Sequence, residues 1–245
     1  ILLTIITFLW PIFNIKYIEI TKMDNITNMD IAYKSVEDFR WKNIFNIKEI
    51  DVFNKLKNYQ DNIRSLDMTI KLPNTIKLEI WSFKEIYNVV INEKNYSILE
   101  NWTLIPKNNF NEELKLINLK KDFKDNMFLE YRKILNPEYL SKITEIERLL
   151  KDNIVDIIIK DIVYYETQRE LHITTENDVI IIFTLDWNIN IEEQIKSLVI
   201  FNQEREQISK SSIVYIDLRV KNKIFFCPDE NYNTCERNIK SIYWE

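Results

Sequence analysis

The chain has 245 residues, a net charge of -5 and a hydrophobic content of 46%, enough for one large or two small domains with cores of their own. Lys and Arg are mixed with Asp and Glu along the whole length, so no basic stripe offers nucleic acid an electrostatic footprint. Gly is absent, which excludes a P-loop, a dinucleotide fingerprint and a nucleophile elbow.

Ile1 to Phe13 carry no charge, and only Thr4 and Thr7 interrupt the apolar run. A complete membrane span needs roughly 20 apolar residues, so residues 1–15 are expected as the end of a transmembrane helix whose first turns and cytoplasmic tail lie before Ile1. A signal peptide would need a small-residue cleavage site, and none follows Phe13; a buried strand or core helix is the remaining reading. Tyr17 to Thr21 alternates as a short strand. Thr27-Asn28-Met29-Asp30 resembles a capping box and opens a helix with Ala32, Val36 and Phe39 on one face. Asn46-Ile47-Lys48-Glu49 repeats the pattern before Val52, Phe53 and Leu56. Leu66, Met68, Ile70 and Leu72 share one face of a strand, Ile76, Leu78 and Ile80 one face of the next, with Pro73-Asn74 as the turn between them. This order, β-α-α-β-β, is a compact α+β unit with two helices on one sheet face.

From Ile86 onward the pattern changes. Tyr87–Ile91 and Tyr96–Leu99 read as strands, and Pro106–Asn111 as a loop. Asn136-Pro137 opens a helix with Pro at its first position and a stripe of Leu140, Ile143, Ile146, Leu149 and Leu150. Strands are expected over Ile154–Tyr164, Leu171–Thr174 and Val179–Leu185. Asn190 with Glu193 caps a helix that buries Ile191, Ile195, Leu198 and Val199. Two last strands, Ile213–Val220 and Ile224–Phe226, precede a polar, mobile tail from Pro228. Cys227 and Cys235 are the only cysteines; they read either as one loop disulfide in an oxidising compartment or as two free thiols.

At ordinary usage of about 7%, roughly 17 Gly are expected in a chain of this length, against none, while Trp occurs six times. Trp102 in Glu100-Asn101-Trp102-Thr103 and Trp187 in Leu185-Asp186-Trp187-Asn188 stand where Asn-Gly and Asp-Gly turns are usual. Trp41, in Phe39-Arg40-Trp41-Lys42-Asn43, follows a helix where a C-terminal Gly is expected. Two readings stand: some of these Trp positions are UGA codons that the source organism reads as Gly, or they are Trp residues on loops.

Several segments fall in the order of a known family. Phe39-Arg40-Trp41-Lys42-Asn43-Ile44-Phe45, Leu72 to Ile80, Tyr96 to Pro106, and Tyr215-Ile216-Asp217-Leu218-Arg219 together resemble FtsQ/DivIB, the bitopic bacterial cell-division proteins. The resemblance covers nearly the whole chain; no one motif is specific, but their order and spacing are more so. Trp41 and Trp102 fall on family Gly positions. Trp81-Ser82-Phe83-Lys84-Glu85-Ile86 departs from the family's Glu-Arg-x-Pro-x-Ala element at the domain junction. The resemblance implies an α+β fold: a truncated N-terminal transmembrane helix at 1–15, a POTRA-like β-α-α-β-β domain at 16–85, a mixed α/β-sheet domain with antiparallel C-terminal strands at 86–227, and a polar tail at 228–245. It also implies a single-pass protein of the cytoplasmic membrane, its bulk extracytoplasmic at the division septum.

Residues that carry chemistry are few. His172, the only His, lies mid-strand in Glu170-Leu171-His172-Ile173 and reads as a solvated or neighbour-satisfied side chain. Glu145 and Glu147 read as a solvated helix face, and no cluster has metal-ligand spacing; neither cofactor nor catalytic residue is expected. Binding is the better expectation. Val220, Ile224, Phe225 and Phe226 lie in or beside the last strands, and a final strand is often an edge that accepts a partner strand through main-chain hydrogen bonds; the other reading has Ile224 and Phe226 facing the core and Phe225 merely exposed. The resemblance implies that this edge binds an FtsB-like subunit, itself paired with an FtsL-like one. Arg219 would then meet a partner carboxylate, Val220 would fill a contact site, and Phe225 or Phe226 would be the distal aromatic anchor. The POTRA-like unit would contact other division proteins. Two alternatives are a POTRA-containing secretion or outer-membrane assembly factor and a membrane-bound hydrolase using scattered carboxylates.

Overall fold

A computed structural model describes residues 10–91, 93–120, 130–133, 136–154, 157–204, 208 and 213–243. The protein is α+β with mixed sheets and divides into two compact units. One comprises residues 1–86, 96–108 and 128–134; the other comprises 87–95, 109–127 and 135–245.

The first unit begins with a 3-10 turn at Trp10–Phe13, then β1 (Tyr17–Lys22), α1 (Met29–Val36), α2 (Glu49–Lys57), β2 (Ile63–Lys71) and β3 (Thr75–Ser82). Its sheet has the order β1-β3-β2, with β1 parallel and β2 antiparallel to the central β3. Alternation decides which face is covered. Ile76, Leu78 and Ile80 of β3 are fully buried, beside Ile18 and Ile20 of β1 and Leu66 of β2. Ala32, Val36, Phe39, Val52 and Leu56 close over them in one apolar cluster. The intervening residues carry charge, and Lys71 pairs with Glu19 at 2.6 Å. Period-2 patterning thus fixes the register, because a one-residue slip would exchange the two faces.

Local chemistry sets the helix starts. The Asn28 side chain accepts from Ile31 N–H and caps α1; Thr27 does not. Fully buried Gln60 is held by the same residue, its side chain accepting from Asn28 N–H and donating to Asn28 C=O at 3.0 and 2.9 Å. The cap expected at Asn46 is absent: Asn46 ends a 3-10 turn capped by Asn43, and α2 starts after Lys48 without a side-chain cap.

Among the described residues no helix is long and apolar enough to cross a membrane. Most of the span expected at 1–15 lies outside the described residues. Its last part belongs to the first unit: Ile15 is fully buried, donates its N–H to Lys42 C=O and accepts from Trp41 N–H.

A separate three-stranded sheet has the order β4-β5-β6, with β4 (Glu85–Ile91), β5 (Lys94–Leu99) and β6 (Leu104–Pro106). In the second unit, β7 (Ile117–Lys120), α3 (Pro137–Asn153), β8 (Ile159–Tyr165), β9 (Glu170–Thr175), β10 (Ile180–Thr184), α4 (Ile191–Glu204), β11 (Ile213–Asp217) and β12 (Phe225–Pro228) build a six-stranded sheet of order β12-β11-β10-β9-β8-β7. The pairs β7–β8 and β10–β11 are parallel, the others antiparallel. The expected strand over Ile213–Val220 ends at Asp217, and β7 was not legible in the sequence pattern.

One row of side chains crosses this whole sheet. Ile117 is registered with Ile162, Ile162 with Ile173, Ile173 with Ile181, Ile181 with Ile216, and Ile216 with Phe226. The five Ile are buried. Helices α3 and α4 pack against each other and bury Leu140, Ile143, Ile146 and Leu150 from one side, and Ile191, Ile195 and Leu198 from the other. Gln194 of α4, also buried, accepts from Thr184 N–H at 3.0 Å and donates to Thr184 C=O at 2.9 Å. That closes backbone groups left open where β10 ends.

Two sequence expectations are corrected here. The stretch from Pro228 is not a mobile tail: a 3-10 turn at Asp229–Asn231 leads into α5 (Tyr232–Tyr243), which packs against β11 and β12. Glu147 is not on a solvated face either. Its carboxylate accepts from Tyr87 Oη and from Lys115 Nζ, the latter at 2.6 Å, with only 12% of the side chain exposed.

Candidate docking edge of the second unit

The five candidate binding residues fall on one strand-turn-strand corner. β11 is flanked by β10 and β12, whereas β12 is the terminal strand of the sheet. The chain leaves β11 at Asp217 and turns through Leu218 to Ile224, where Lys223 N–H donates to Val220 C=O at 3.1 Å. Asn222 takes left-handed backbone at φ 58°, a conformation that Asn tolerates better than most residues. Leu218 is buried and its N–H donates to Ile182 C=O at 3.0 Å, so the turn is anchored at its start.

Alternation then sends the two aromatic residues to opposite faces. Phe226 shares a face with Ile216 and completes the Ile row; its ring lies 5.1 Å from that of Phe201 on α4. Phe225 pairs with Asp217 on the other face. Both remain open to solvent, Phe225 at 50% and Phe226 at 40%, with Val220 at 44% beside them. Ile224 is half-buried. Each face of β12 thus carries one exposed aromatic ring, Phe226 beside the Ile row and Phe225 beside Asp217.

Arg219 is already engaged within the chain. Its Nε and Nη2 donate to the two oxygens of Asp217 at 2.9 and 2.6 Å, and its Nη1 donates to Glu170 Oε1 at 2.8 Å. The Asp217 carboxylate also accepts from Arg219 N–H at 3.0 Å. The hydrogen bonds to Asp217, and then those to Glu170, push the guanidinium pKa further up despite its partial burial. This planar fork matches two carboxylates at once, so the side chain fixes the start of the turn.

His172 closes the cluster. It is buried, lies 3.3 Å from Glu170 Oε2, and its ring centroid is 4.5 Å from that of Tyr165. Burial lowers its pKa against the opposing pull of Glu170. This fits the neighbour-satisfied reading of His172. The Glu170–Arg219 bond and the His172–Tyr165 contact escaped the sequence reading, because each is made only by strand pairing.

Cys227 and Cys235 form a disulfide. It joins the edge strand to α5, where Cys235 is buried. Among the described residues no group of three His, Cys, Asp or Glu is placed to hold a metal ion.

Comparison with known proteins finds no family model and no curated protein that matches this chain.

Proposed function

We propose that this chain is a membrane-anchored, non-enzymatic scaffold of bacterial cell division, similar to FtsQ/DivIB, that docks an FtsB-like subunit and its FtsL-like partner on β12. The observation that carries the reading is the terminal place of β12 together with the exposure of Phe225, Phe226 and Val220 on and beside it. A terminal strand has a row of main-chain groups that a partner strand can pair with, and flanking aromatic side chains supply the anchors. In this reading Arg219 acts by holding the turn in place through Asp217 and Glu170.

Further observations support the same reading. The first unit has the element order β-α-α-β-β with β1 parallel to the central strand, which agrees with a POTRA-like domain beside the membrane. The Cys227–Cys235 disulfide suits an extracytoplasmic compartment, where such bonds persist. The scaffold would recruit and regulate the septal peptidoglycan-synthesis complex by holding subunits together at the septum.

The test is capture of the FtsB/FtsL-like pair encoded in the same genome by Phe225→Ser, Phe226→Ser and the double variant, with circular dichroism to establish folding. A folded Phe225→Ser chain should bind at least about tenfold more weakly, the scale of a lost hot-spot residue. Unchanged affinity in the folded double variant would place the docking site elsewhere.

A further inference from the structure

Seven residues of the described chain have left-handed backbone, and two of them are Trp: Trp41 and Trp102, both at φ 67°. Bulky side chains are outliers in this region, because the Cβ crowds the following carbonyl. Each of the two sits in a turn of a defined kind, and in each turn the slot it fills belongs to Gly.

Trp41 occupies the third position of a turn from Phe39 to Lys42. Lys42 N–H donates to Phe39 C=O at 3.2 Å, Arg40 has φ -56° and ψ 142°, and Trp41 follows with φ 67°. Those angles define a type II turn, whose third residue needs positive φ and is ordinarily Gly. Trp102 ends the β5–β6 hairpin loop. Its N–H donates to Leu99 C=O at 2.8 Å, and Leu99 N–H donates to Thr103 C=O at 3.0 Å. A tight turn followed by one left-handed residue at a bulge is the G1 arrangement, named for the Gly that occupies it.

Neither side chain is placed as a Trp ordinarily is. Trp41 is 68% exposed, so its indole is not part of a core. Trp102 is fully buried, yet its indole N–H has no hydrogen-bond partner among the described residues; a buried Trp N–H usually finds one. A chain with no Gly at all thus places its largest side chain at two positions that two different turns reserve for the smallest.

We infer that positions 41 and 102 are glycine in the native protein, encoded by UGA codons that the source organism decodes as Gly. Reassignment acts on a codon throughout a gene, so any other Trp position encoded by UGA changes with them. Trp187, 79% exposed in the turn after Asp186, is a candidate on sequence grounds, although its φ is not left-handed. Glu93, Tyr131, Arg169, Asp178 and Asn222, the other left-handed residues, have unrelated codons and lie outside the inference. One consequence reaches the surface: the strongly exposed indole at position 41, which would otherwise rank as an interface anchor, is absent from the native molecule. The inference does not rest on the docking reading.

Tandem mass spectrometry of peptides spanning residues 41 and 102, from protein purified out of the source cells, tests it directly. Gly at both positions is the expected result; Trp at either overturns the inference, as does a UGG codon at either position in the gene. A recombinant pair supplies a second readout. The chain carrying Trp41→Gly and Trp102→Gly should melt at a higher temperature than the chain as written. A lower melting temperature for the folded double variant would mean that the Trp102 indole fills a native core, and would equally overturn the inference.

Discussion

Beside β12, one guanidinium joins two carboxylates whose side chains are only 14% and 10% exposed. Removing one partner of such a group leaves the others buried without compensation, at a cost of about 3 kcal/mol or more. Arg219→Ala is therefore expected to lower the urea midpoint markedly, and Arg219→Lys, which cannot reproduce the fork, to recover only part of it. The imidazole of His172 sets a separate pH dependence. Burial holds its folded pKa below the ordinary value of 6.5, so the folded state binds fewer protons than the unfolded chain once pH falls past that value. Stability present above pH 6.5 is then lost as pH drops through the folded pKa. Unfolding free energies measured from about pH 7.5 to about pH 5 should fall more steeply for the parent than for His172→Gln. Parallel curves would show that the imidazole does not carry this dependence. Asp217 and Arg219 were visible as neighbours in sequence. Glu170, 49 positions from Arg219, was not, since only the pairing of β9, β10 and β11 brings it there.

Elements were legible where one physical rule decided them alone. Alternation placed β2 and β3 and their turn, and helical spacing found the buried stripes of α3 and α4. Capping was legible at Asn136 and Asn190, whose side chains accept from Glu138 N–H and Glu192 N–H. It failed at Asn46, because the same Asn-rich composition also supplies 3-10 turns. The α5 helix escaped because its residues are mostly polar and its tie to β12 is covalent. Closing so short a loop contributes about 2–3 kcal/mol in the chain-entropy account of disulfides. Reduction, or Cys227→Ala with Cys235→Ala, should accordingly speed amide exchange over Tyr232–Tyr243 far more than over β8 to β10. Equal protection before and after reduction would contradict the tethering role. In the first unit, Leu78 sits fully buried on the central strand, and Leu78→Ala should cost about 2–5 kcal/mol in unfolding free energy.

At the scale of the molecule, sequence order and spatial order diverge in the second sheet. Ile213–Asp217 lies near the end of the chain, yet it is interior, because the crossover through α4 sets β11 parallel to β10. The edge falls instead to the four residues Phe225–Pro228. A terminal strand could be anticipated from the end of the pattern; which strand ends the sheet depends on pairing that no local residue signals. The Ile row running from Ile117 to Phe226 gives that edge a rigid support, while Phe225 faces the Asp217 side. Partner docking on β12 by strand addition makes a specific demand on backbone amides. Hydrogen exchange of this chain, alone and saturated with the FtsB/FtsL-like pair, measures it residue by residue. The account predicts slowed exchange in Phe225–Cys227, with the interior amides of β9 and β10 unchanged. Binding that left Phe225–Cys227 exchanging as in the free chain would contradict it.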